Sequence, residues 1–184
     1  MSDGSGKLNG HRSGITEAAH LGDEKTSLVG FLQHQRDLVA WKLRDATDDV
    51  LRPVSTPTGM TLHGLVRHLE HVERSWIRDD FAGESDLPYA WSDDDPDGEW
   101  HVGQTVRMVD LLREYAEESS LCDAIIAASS LDAISVRGNF SLRWIVLHLI
   151  EETSRHLGHL DVLREQADGT VGEEPGDSTS PAEA

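Results

Sequence analysis

The stretch that decides the fold is 142–165, LRWIVLHLIEETSRHLGHLDVLRE. With Ile145 as zero and a turn of about 100° per residue, Leu149 falls near about +40° and Leu163 near about 0°, so one apolar stripe runs the length of an α-helix. Ser141 stands ahead of the stripe as a helix cap and Gly169 beyond it as a stop. On the same wheel Glu152 lies near about −20°, His156 near about +20° and His159 near about −40°. Glu152 and His156 therefore interrupt the face that should meet the core. A carboxylate buried there alone would be costly, and the i, i+4 spacing sets it beside the imidazole. Two readings fit: a buried Glu-His hydrogen bond or a place where the bundle opens to water on the one hand, and two ligands of a divalent metal, completed from a facing helix, on the other.

Three more segments share the helical period. The first covers about 25–43, with Leu28, Phe31, Leu32, Gln35, Leu38, Val39 and Leu43 on one stripe. The second starts at a Thr61 cap and runs to about 81, with Leu62, Leu65, Val66, Leu69, Val72 and Trp76 inward and Gly83 as its stop. The third, about 105–129, should bury Met108, Leu111, Leu112, Tyr115, Ser119, Cys122 and Ile126. The connection 82–104, with Pro88, Trp91, Pro96, Gly98 and Trp100, exceeds the usual loop length and reads as a lid or rim. Four amphipathic helices without a strand pattern predict an all-α, antiparallel four-helix bundle over 23–167. A Gly/Ser-rich flexible leader at 1–22 and an acidic, disordered tail at 168–184 flank it.

A third ligand for the metal reading has to come from another helix, and the second offers three histidines. Measured from Leu62, His71 lies near about 180° and His63 near about +100°, both on the side expected to meet solvent. His68, near about −120°, borders Val72 and Leu65 and is the best candidate; a half-buried flanking histidine fits the same angle.

Composition narrows the classes of function. Among 184 residues, 34 acidic against 16 basic side chains give a formal charge of −18, which argues against nucleic acid, whose phosphates need a basic face, and against anionic lipid. No run approaches the roughly 20 apolar residues of a membrane span, and the first residues carry no apolar secretory segment, so the expected location is cytoplasmic. The single cysteine, Cys122, leaves no disulfide framework and no multi-cysteine zinc site. Any metal must rest on the carboxylates and the ten histidines.

The segments TLHGLVRHLEHVERSW (61–76) and SLRWIVLHLIEETSRHLGHLDVLRE (141–165) together resemble the DinB-like superfamily, in particular its branch with a histidine in the second helix and EExxRHxGH in the fourth. The resemblance covers about 26–169 and implies a four-helix bundle that often dimerises, with a metal triad at one end. On these motifs His68 matches the second-helix ligand and His156 the final ligand, in a segment commonly written HRGQ in relatives. The position four residues before His156, a histidine in many members, is Glu152 here. The resulting His, Glu, His set is similar to that of mycothiol-dependent maleylpyruvate isomerases. Those enzymes carry an additional C-terminal domain contributing to the substrate site, whereas this chain ends in an acidic tail, so the isomerase activity does not carry over.

More broadly, the resemblance implies a metal-dependent S-transferase in detoxification or stress. Its cofactors would be a divalent ion, zinc ahead of nickel, and a low-molecular-weight thiol, mycothiol ahead of bacillithiol. Its partners would be that thiol, a small electrophile and a second copy of the chain. A free thiol is mostly protonated at neutral pH, and coordination deprotonates it. His159 is the expected catalytic group, as proton carrier or substrate contact, with a bond to a nearby carboxylate as its structural alternative. The same open ion could instead activate water for hydrolysis, and a non-catalytic stress-related binding protein is the third class. His148 reads as a flanking core histidine, Gln35 as bonded locally to backbone, and Cys122 as a small buried residue. Asp93, Asp95 and Asp97 begin a calcium-loop pattern, but Gln104 stands where its last ligand should be, and a solvated acidic loop is the better reading.

Overall fold

The computed structural model describes residues 14–172. Of the expected leader and tail, 1–13 and 173–184 lie outside the described residues. Four long helices form an all-α bundle: α1 (Glu24–Arg44), α3 (Leu62–Glu73, continued by a π-helical stretch Arg74–Phe81), α4 (Met108–Ala128) and α5 (Leu142–Asp168). A short α2 (Asp48–Leu51) sits between the first two. The caps follow the chemistry of their side chains. Thr61 accepts from the Gly64 amide, Ser141 from the Trp144 amide, and Gly169 closes α5 in the left-handed conformation at φ 77°.

The core divides into two apolar clusters, and their membership gives the helix directions. One holds Val39 and Leu43 from the end of α1, Leu62, Leu65 and Leu69 from α3, Met108 and Leu111 from the start of α4, and Leu160 and Leu163 from the end of α5. The other holds Leu32, Ile77, Phe81, Cys122, Ile126, Ile145 and Leu149, from the opposite ends of the same helices. Hence α1 and α5 run one way, and α3 and α4 the other. The antiparallel relation holds between these pairs, and the chain must travel back along the whole bundle between α3 and α4. That is why the connection is long: after Phe81 in one cluster, residues 82–107 return to the other, where Trp100, Val102 and Val106 pack. A return of this length lies against α3 for much of its course.

Between the clusters lies a layer of buried charge. Arg36 of α1 donates to both carboxylate oxygens of Glu73 at 2.8 and 2.6 Å, and Arg74 donates to Glu118 at 3.0 and 2.7 Å. Arg74 also donates to the Pro88 carbonyl at 2.7 Å, which ties the crossover to α3. This layer corrects one expectation. The packed row of α1 is Leu32, Arg36, Val39 and Leu43, with Arg36 inside because Glu73 satisfies it. A stripe drawn through apolar residues alone is rotated away from that row toward Phe31, which is 51 % exposed.

Candidate metal centre

The side chains of His68 on α3 and of Glu152 and His156 on α5 converge between the two helices. One ligand-type atom from each lies within 4.8 Å of the others. Glu152 Oε1 is 3.0 Å from His156 Nε2 and 3.4 Å from His68 Nε2, and the two rings meet edge to face with centroids 4.6 Å apart. Each imidazole has a further partner on its other nitrogen: His68 Nδ1 lies 3.0 Å from Glu99 Oε1, and His156 Nδ1 lies 3.4 Å from His159 Nδ1. Both Nε2 atoms therefore face inward and both Nδ1 atoms face outward, an arrangement familiar from histidines that ligate metal. Two imidazole nitrogens and one carboxylate oxygen form a donor set that fits zinc and leaves a coordination position open.

The electrostatics of the cluster follow from its geometry. Burial opposes a proton on His68, but the hydrogen bond and charge of Glu99, and then of Glu152, outweigh it and hold that proton above the ordinary histidine range. His156 goes the other way, pushed down by burial and by the charge of His68, with Glu152 only partly offsetting them. Burial alone would raise the Glu152 carboxyl, yet the His68 hydrogen bond and the charge of His156 bring it below its usual value. Glu99 is likewise opposed by burial and still pulled down to about 2 by His68 and His71.

Two expectations for α3 are corrected. His71 and His63 are buried rather than solvated, at 2 % and 3 % exposure. The His71 ring meets Trp91 and Tyr89 edge to face at 4.9 and 5.6 Å, under the crossover, and His63 Nε2 is 2.7 Å from Asp48 Oδ1 on α2. Both are covered by segments outside the four-helix frame on which a helical wheel is drawn. His159 is exposed beside His156. His148 stands apart from the cluster, stacked on Trp144 and edge-on to Trp76. Cys122 is fully buried, with its thiol pushed up by burial and by Glu73. Gln35 Oε1 is buried without a hydrogen-bond partner, so the expected local bond to the backbone does not form through that atom.

Glu99 goes unnoticed in the sequence, and Trp100 is legible there only as part of a lid or rim, not as a neighbour of His68. The Trp100 ring stacks on His68 at 5.0 Å and 22°. Its approach depends on Gly64, where an added Cβ would come within 2.9 Å of the Trp100 ring and 3.2 Å of its Cα. Only a glycine lying one turn before a histidine on the same helix hints at so close a neighbour.

Helix order, crossover and side-chain cluster define an all-α four-helix bundle with a candidate metal centre between α3 and α5, consistent with the DinB-like resemblance. The family model described as Mycothiol-S-transferase matches residues 27–169, and the chain belongs to that family. No curated protein matches it. Among the described residues, no helix is long and apolar enough to cross a membrane.

Proposed function

We propose that the protein is a metal-dependent S-transferase that joins mycothiol, or a similar low-molecular-weight thiol, to a small electrophile in detoxification. The observation that carries this reading is the convergence of His68 Nε2 and His156 Nε2 on Glu152 Oε1, with each Nδ1 engaged from outside. In this reading His68, Glu152 and His156 hold a divalent ion, zinc ahead of nickel. When bound, the ion supplies the Lewis acidity that favours a thiolate over a thiol near neutral pH.

The chain's own residues supply the rest. Glu152 brings a negative charge that offsets part of the ion's charge and orients both imidazoles. In this reading His159, exposed beside His156, passes the thiol's proton to solvent. Trp100 on the crossover, stacked on His68, gives the site an apolar side that limits water near the reacting sulfur and favours an apolar electrophile. The carbon-sulfur bond forms as the leaving group departs with its electron pair, or as an unsaturated acceptor takes up a proton. Family membership supports the thiol, and the donor set supports the ion. Two further expectations, a homodimer and a cytoplasmic location, belong to the same reading.

Metal analysis of wild type beside His68→Ala and Glu152→Ala, followed by conjugation of mycothiol to a haloaromatic electrophile, tests the proposal. Near-stoichiometric zinc or nickel in wild type, lost in both variants together with thiol-dependent turnover, is expected. Equal metal content in all three proteins would defeat the ligand assignment. Metal-dependent turnover that needs no thiol would point to hydrolysis instead.

A further inference from the structure

We propose that Glu99, delivered by the crossover, is a positioning residue that keeps the proton of His68 on Nδ1 and its Nε2 lone pair free for the ion. The inference rests on the metal reading above and extends it to a residue outside the ligand set. A neutral imidazole has one donor nitrogen and one acceptor nitrogen. His68 stands between two carboxylates, Glu99 at 3.0 Å from Nδ1 and Glu152 at 3.4 Å from Nε2, and an ionised carboxylate only accepts. With both ring protons present, both bonds are made. When an ion takes the place of one proton, the shorter bond keeps its hydrogen and the longer one yields, so Nε2 becomes the ligand. Without Glu99, His68 Nδ1 has no other hydrogen-bond partner among the described residues, and Glu152 alone would draw the single proton to Nε2, the wrong atom for coordination.

The geometry also shows how a loop residue is held closely enough to do this. Trp100, the next residue, is stacked on the same His68 ring and seated against Gly64. Its amide donates to the Asp97 carbonyl at 2.9 Å, which fixes the turn carrying Glu99. The second carboxylate oxygen, Oε2, faces His71 Nδ1 at 3.7 Å, and neither atom has a closer hydrogen-bond partner. Glu99 thus spans the half-buried His68 ring and the buried His71 ring, about one helical turn apart on α3, with one oxygen facing each. Outer partners of ligating histidines are worth about 10–100-fold in metal affinity.

Zinc affinity by chelator competition and ¹⁵N NMR of the His68 ring in ion-free protein, well above neutral pH, test this in wild type, Glu99→Gln and Glu99→Ala. The NMR measurement reads the tautomer directly, which a merely structural anchor would not change. Wild type should show the Nδ1–H form. Glu99→Ala should shift toward Nε2–H and lose about 10–100-fold in zinc affinity. Glu99→Gln, whose amide oxygen still accepts, should lose less on both measures. Unchanged circular dichroism of the ion-free variants separates these effects from misfolding. Zinc binding and tautomer both unchanged in Glu99→Ala overturn the inference and leave the metal reading standing. If wild type binds no zinc, the metal reading fails and the affinity arm with it, and the ion-free tautomer then decides the role of Glu99 alone.

Discussion

Replacing Glu152 by glutamine separates what the carboxylate does for the fold from what it does for the ion. Glu152 makes two moderate contacts, at 3.0 and 3.4 Å, from a side chain that is 20 % exposed. A glutamine of the same size can keep its carbonyl oxygen toward His156 and sheds the cost of desolvating a charge. The ion-free stability should therefore change by no more than about 1 kcal/mol. Ion binding is a different matter. An ion at 100 times its Kd stabilises the folded state by about 2.7 kcal/mol, which for a chain of this size raises Tm by roughly 5–11 °C. Loss of a directly ligating carboxylate should weaken binding at least as much as loss of an outer partner, by about 100-fold. At the same ion concentration the variant would then sit near its own Kd, where the gain is about 0.4 kcal/mol and the Tm shift roughly 1–2 °C. Differential scanning fluorimetry of both proteins, with chelator and with zinc, reads all four quantities. An ion-induced shift in Glu152→Gln equal to that of wild type would refute Glu152 as a ligand. A collapse of ion-free stability would show that its role is structural.

Three other outcomes are expected. Gly64→Ala, favourable by helix propensity alone, should destabilise by about 1–3 kcal/mol in urea unfolding because its Cβ would press on Trp100; a stabilised variant would mean that the crossover does not rest there. Glu73→Ala leaves the buried Arg36 with Asp123 and Gln33 only and should cost about 3 kcal/mol, the low end for breaking a buried pair; a Tm drop below about 2 °C would contradict the bidentate pair. In NMR titration of the ion-free protein His68 should titrate above, and His156 below, the ordinary histidine value, and the reverse order would overturn the cluster's geometry. With His68 raised, its contribution is complete below the unfolded value of about 6.5 and is lost as pH rises through the folded one. His156, lowered, costs stability as pH falls through about 6.5, because the unfolded chain takes up the proton first.

How much of the site can be seen in the sequence depends on which covalent frame carries each residue. Glu152 and His156 are legible because one helix holds them at i, i+4 on a face whose other members are apolar, so a polar residue there stands out against a period the chain itself supplies. His68 is legible only by its flank position, and its partnership with α5 needs the packing of two helices. Glu99 belongs to no period at all. It lies in an irregular crossover whose length is set by the direction of α4, and that direction follows from which ends of the helices share an apolar cluster. The errors at His63, His71 and Phe31 have the same origin. A wheel assumes that whatever is not on the apolar stripe meets water, but here α2 and the crossover cover α3, and Arg36 counts as core once Glu73 satisfies it. The polar residues that a period cannot place are thus the ones that irregular segments and buried partners bring inside. In this protein they include the carboxylate that sets the proton on its candidate ligand.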